Sequence, residues 1–102
     1  MQREVDCPCP LCGTLSECWG TGWSIDGGGA RYFKCPNSDC GPCEISEEGG
    51  ASLRAHSTLN RRLSRNAVKA RHRGMVLRLR RDTITRQLLY GPISPAEVGR
   101  WH

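Results

Sequence analysis

The sequence predicts a small α+β fold: β-hairpins at the N-terminus, then a basic segment of two helices and a short strand pair. Three observations predict it. Two cysteine clusters, Cys7-Cys9-Cys12 and Cys35-Cys40-Cys43, bracket a stretch rich in strand formers and glycine. Beyond residue 57, leucine and alanine recur at helical spacing. Residues 75–80 then return to alternation. The expected units are 1–45 and 46–102, with the second able to pack on the first as one domain.

The chain has 102 residues and seven cysteines. Aliphatic residues are sparse in the first unit, where Val5, Leu11, Leu15, Ile25 and Ile45 are spread along the chain. Burial alone stabilises such a segment too little to offset its conformational entropy. Bound metal would supply the difference, because metal-binding free energy in small modules is folding free energy. The start of the chain lacks an apolar signal region, and no stretch approaches eighteen apolar residues. The expected setting is therefore cytoplasmic and reducing, without membrane contact, and thiols there hold metal more often than they form disulfides. An odd number of cysteines fits a disulfide framework poorly.

The elements follow in order. Residues 1–6 read as a loose lead-in. Cys9-Pro-Leu-Cys12-Gly13 has the form of a zinc knuckle: two intervening residues let both sulfurs reach one ion, and the glycine permits the tight turn. Thr14, Leu15, Trp19, Thr21, Trp23 and Ile25 favour strands, and Asp26-Gly27-Gly28-Gly29 is a turn signal. Arg31-Tyr32-Phe33-Lys34 returns the chain to the second knuckle, Cys35-Pro-Asn-Ser-Asp-Cys40-Gly41. Residues 42–46 close the module. Ser46 can cap a first helix that begins with Glu47 and Glu48 and runs to about His56, although Gly49-Gly50 weakens it. Ser57 can cap a second helix with its stop at Gly74. Met75, Leu77 and Leu79 share one strand face, Gly91-Pro92 breaks the following segment, and Ser94-Pro95 starts a capped helical turn.

The best ligand set is Cys9, Cys12, Cys35 and Cys40. Four thiolates in a tetrahedron make a closed structural Zn2+ site with no open position for catalysis. Cys43 can compete with Cys40 or Cys35, and Cys7 with Cys9. Cys18 reads as a small buried apolar residue. His56, His72 and His102 are scattered and read as surface residues.

The stretch 9–43 resembles the four-cysteine zinc ribbons at the C-termini of bacterial type I topoisomerases. The match is Cys9-Pro-Leu-Cys12-Gly13, then Gly29-Ala-Arg-Tyr32-Phe33-Lys-Cys35, then Cys40. The middle segment is also similar to the GRF-type zinc finger, with Ala30 where that motif has arginine. Both families bind single-stranded DNA, so the resemblance implies a single-strand-binding ribbon over about a third of the chain.

Charge is divided unevenly. Residues 1–45 carry three cations and six acids, and residues 46–102 carry twelve cations and four acids. This asymmetry points to a polyanion, with nucleic acid first. Trp19 and Tyr32 are candidates for base stacking, with Arg31 and Lys34 beside them for phosphates. Trp23 and Phe33 are expected in the core. Arg61, Arg62, Arg65, Lys69, Arg73 and Arg80 are the remaining phosphate candidates. No catalytic constellation of carboxylates and no phosphate-binding glycine loop is present, so an enzyme is not expected. The expected function is non-enzymatic nucleic-acid binding, favouring single-stranded DNA or RNA. The alternative is a protein-binding adaptor or inhibitor, of phage type, that docks on a larger nucleic-acid-processing machine.

Overall fold

The computed structural model describes residues 2–25, 28–55 and 57–101. Asp26 and Gly27 of the expected turn, His56, His102 and the Ser57 side chain lie outside the described residues. The fold is α+β, with one mixed sheet and two helices. Among the described residues no helix is long and apolar enough to cross a membrane.

The strands are β1 (Gln2–Arg3), β2 (Cys7–Pro8), β3 (Leu15–Trp23), β4 (Gly29–Lys34), β5 (Cys43–Ser46), β6 (Val76–Arg81) and β7 (Leu88–Ile93). Their spatial order is β1-β3-β4-β5-β6-β7, with β2 also paired to β3. The lead-in is thus tied to the sheet, since Gln2 pairs with Gly20 and Arg3 with Trp19. The hairpin β3–β4 is antiparallel, as its strand formers predict. A bulge between Gly20 and Gly22 shifts its register, and Gly22 sits at φ +95°, where a side chain would be strained.

Residues 42–46 do more than close a module. All four residues of β5 are buried. It pairs antiparallel with β4 and parallel with β6, so one sheet joins the two parts of the chain. A parallel pair needs a crossover, and this one carries α1 (Glu47–Ala55) and α2 (Asn60–His72). Ser46 caps α1 through a 2.9 Å bond from the Gly49 N–H. Helix α1 continues through Gly49-Gly50 despite their poor propensity. A Cβ on Gly49 would crowd Leu79 and Arg80 of β6, so tertiary contact outweighs propensity there. Helix α2 starts at Asn60, after a single 3-10 turn (Ser57–Leu59), and stops at Gly74.

Strand β7 runs through Gly91-Pro92 rather than breaking there. Leu77 faces Pro92, yet the Leu77 N–H donates to the Pro42 carbonyl on its other side. The pair is therefore one that exchanges no ladder bonds, and proline costs nothing at this edge. Ser94 caps the final 3-10 turn (Pro95–Glu97), as the sequence indicates.

Alternation gives the sheet two different faces. Phe33, Cys43, Ile45, Leu77 and Leu79 share one face and form the core with Leu53, Leu63, Ala67, Ala70 and the knuckle residues Cys9, Leu11, Cys35 and Cys40. Neither α1 nor α2 packs on the opposite face. There Arg3, Trp19, Tyr32, Glu44, Arg78 and Gly91 stand in one unbroken row across six strands. Glu44 is fully buried in this row. It accepts two bonds from Arg78, at 2.9 and 2.7 Å, and one from the Gly99 N–H at 2.8 Å. Arg78 also donates to the Glu97 and Arg100 carbonyls and lies 4.1 Å from the Trp101 ring centroid. The charged pair thus straps the C-terminal turn onto this face, with every Glu44 oxygen satisfied.

Candidate metal centre

The two knuckles are built by backbone turns. In the first, the Gly13 N–H donates to the Cys9 carbonyl at 2.8 Å and the Cys9 N–H to the Thr14 carbonyl at 2.8 Å. Gly13 adopts φ +81°, which explains the glycine after Cys12. In the second, Asn37 makes the turn: its side-chain oxygen accepts from the Asp39 N–H, and its carbonyl from the Cys40 N–H. Gly41 has a different role. A Cβ there would overlap the Ala67 carbonyl of α2, so this glycine lets helix and knuckle touch backbone to backbone.

These turns bring Cys9, Cys12, Cys35 and Cys40 together, with all four sulfurs within 4.8 Å of one another. Cys9 and Cys40 are 3.9 Å apart, and Cys12 and Cys35 are 3.4 Å apart. A tetrahedron with ~2.3 Å zinc–sulfur bonds has sulfur–sulfur edges of ~3.8 Å. The donor set and its spacing therefore fit one four-thiolate ion. Cys12 is exposed and the other three are buried, so the ion would sit just beneath the surface.

Proton affinities show what a bound ion would have to overcome. The Cys9 contact, then burial, raises the Cys40 thiol. The Cys40 contact favours the Cys9 thiolate, but Cys43 and burial outweigh it and raise Cys9. Burial raises Cys35. At Cys12 burial opposes ionisation, but bonds to Thr14, Cys35 and Asn37 prevail and bring its pKa down to about 6. Four crowded thiols do not all ionise unaided; a divalent cation at their centre reverses that balance.

The other cysteines fall outside this group. Cys7 is half-buried and its thiol donates to the Val5 carbonyl at 3.2 Å. Cys43 is buried within β5. Burial, Glu4 and Cys7 push Cys18 up to about 12, so it is an inert buried thiol, as expected.

Helix α2 is fastened to both knuckles. Ser64 donates to the Leu11 carbonyl at 3.4 Å. Arg71 donates to the carbonyls of Asn37 at 3.1 Å, Ser38 at 2.9 Å and Cys40 at 2.6 Å. Neither residue stood out in sequence. The available signal was their phase, since Ser64, Ala67 and Arg71 stand at i, i+3 and i+7 on the stripe that faces inward. An arginine on an inward stripe marks an internal acceptor.

The nucleic-acid candidates do not come together on one surface. Trp19 and Tyr32 are direct cross-strand neighbours on the face opposite α1 and α2, both half-buried. Lys34 and Arg80 share that face by alternation. Acids crowd Trp19: its Nε1 donates to Glu17 at 3.0 Å, and Arg3, 5.7 Å from its ring, is paired with Glu17 and Asp6. Arg31 is on the opposite face and pairs with Glu4 at 3.0 Å. Phe33 is in the core as expected, but Trp23 is 79% exposed, against expectation. The Gly20/Gly22 bulge turns it to the Arg31 face, which carries the core, but there Trp23 is the last residue of β3 and its partner is Gly29, which has no side chain to cover it. Arg61, Arg62, Arg65, Lys69 and Arg73 are all exposed along α2 and its C-cap.

A groove of about 820 Å³ opens between the first knuckle and α1, floored by Phe33, Ile45 and Leu53. Compared with known proteins, the chain matches no family model, no curated protein and no solved structure.

Proposed function

We propose that this is a zinc-stabilised, non-enzymatic protein that binds nucleic acid through the outer face of α2. The observation that carries this reading is how the arginines are used. Arg3, Arg31, Arg78 and Arg81 each meet a carboxylate. Arg71 is consumed by three carbonyls. Arg61, Arg62, Arg65, Lys69 and Arg73 form no ion pair among the described residues. Arg54, Arg80, Arg86 and Arg100 form none either but are scattered over other parts of the chain, whereas these five share one helix and its C-cap, and α2 contains no acid. Five cations gathered on one helix repel one another, and a polyanion relieves that repulsion by releasing its counterions. Zinc has a structural role here, because four thiolates leave it no position for substrate.

The test is binding of the zinc-loaded protein to labelled single-stranded DNA, duplex DNA and RNA at low and physiological salt. Binding that persists at physiological salt and falls when Arg62 and Arg65 are changed to glutamate supports the reading. Negligible binding to all three ends it.

A second reading, a protein-docking adaptor, is favoured by the groove beside α1 and by exposed Trp23 and Val5. It would leave naked nucleic acid unbound. Its partner affinity would fall on Trp23→Ser and survive the arginine reversals.

A further inference from the structure

Resting on the nucleic-acid reading of α2, we propose that the ligand is double-stranded and is gripped by its phosphates. Arg61, Arg65, Lys69 and Arg73 recur every fourth residue, with Arg62 alongside. At 1.5 Å per residue this is a file of cations ~18 Å long, stepping by ~6 Å. It lies on a convex rod, not in a groove. Every exposed side chain of α2 is an arginine, Lys69 or His72. None is aromatic, and Asn60 and Asn66 are only half-exposed.

Single strands are held by a cationic channel lined with aromatic rings on which bases stack. The helix offers neither channel nor ring. Of the rings that could stack, Trp19 and Tyr32 are on the other side of the sheet, beside Glu17 and Asp6, and Trp23 is at the end of β3, three strands away from the β6 on which α2 packs. One strand cannot use both surfaces without crossing the sheet edge. A duplex needs no stacking platform. It presents a stiff array of phosphates, and its major groove, ~12 Å wide, accepts a rod of ~10–12 Å.

Fluorescence anisotropy of the zinc-loaded chain with a blunt duplex of ~20 base pairs, and with either of its strands, tests this from ~50 to ~200 mM salt. The duplex should bind about tenfold tighter, and its affinity should fall several hundredfold over that range, at about 0.9 logarithmic units per phosphate for five cations. Arg61→Glu with Arg65→Glu should lower the salt slope by about two. Trp19→Ala with Tyr32→Ala should change neither affinity nor slope. Zinc content and circular dichroism of each variant verify the fold. Equal or tighter binding to the single strand, or loss of duplex binding only in the aromatic variant, overturns the duplex inference and leaves nucleic-acid binding intact. No binding to either ligand overturns both.

Discussion

The knuckle-and-hairpin part of the chain and the helix-and-β6 part are built on different physical principles. In the first, thiols are the largest buried group: Cys9, Cys18, Cys35, Cys40 and Cys43, beside Leu11, Ala30, Phe33 and the small polar Ser16, Thr21 and Ser24. Its larger apolar side chains lie largely outside, as Val5, Leu15, Trp23 and Ile25 show. In the second, Leu53, Leu63, Val76, Leu77 and Leu79 are buried in the ordinary way. One part has four thiols placed to hold an ion at its centre, and the other is filled by aliphatic side chains. The comparison teaches that neither is complete, because α2 from the second part seals both knuckles of the first.

Chelation is the strongest test of that dependence. Structural zinc is worth ~10–16 kcal/mol in small metal-folded modules. Adding a chelator, or making Cys40→Ser, should unfold the hairpin and α2 in one transition followed by tryptophan fluorescence and helical circular dichroism together. If helicity survives metal loss, the second part stands alone and the comparison breaks.

Glu44→Ala comes next. It would leave Arg78, which is only 12% exposed, without its carboxylate, and cost ~3–5 kcal/mol in urea unfolding. It should also loosen the C-terminal turn, seen as faster amide exchange at Gly99.

Gly41→Ala should cost ~1–3 kcal/mol, since its methyl meets the Ala67 backbone, not a yielding side chain. Arg71→Ala removes three bonds between α2 and the second knuckle and should cost ~2 kcal/mol. Both should weaken zinc affinity in a chelator competition while Cys9, Cys12, Cys35 and Cys40 stay in place. Unchanged zinc affinity would show that knuckle and helix are energetically independent. The smallest effect is expected at Arg3→Ala. Its pairs with Asp6 and Glu17 are exposed, and the loss should stay below ~1 kcal/mol and shrink further in salt.

Much of the candidate centre was legible in sequence. Cys-x2-Cys and Cys-x4-Cys, each followed by glycine, indicated which four thiols meet, and the strand formers between them indicated a hairpin. The Ser46 cap and the Gly74 stop were legible because capping is local. The central role of β5 was not, because Cys43-Glu44-Ile45-Ser46 is too short to carry a periodic pattern and runs directly into the first turn of a helix at Glu47-Glu48. The face of Trp23 was equally hidden, since a one-residue bulge reverses which side a residue takes.

The sequence by itself determined the ligand types, their spacing, the α1 cap, the α2 stop and the cationic file on α2, all of which depend on residues a few positions apart; the α2 start it placed at Ser57 came three residues later, after a 3-10 turn. Only the tertiary structure decided that Glu44 meets Arg78 and that Arg71 meets the second knuckle, contacts spanning 34 and 31–34 positions respectively. It alone placed Trp19 and Tyr32 on the face opposite α2. Register between strands and the choice of sheet face are collective properties. They are set by the parallel β5–β6 pair and the Gly22 bulge, which no local window contains.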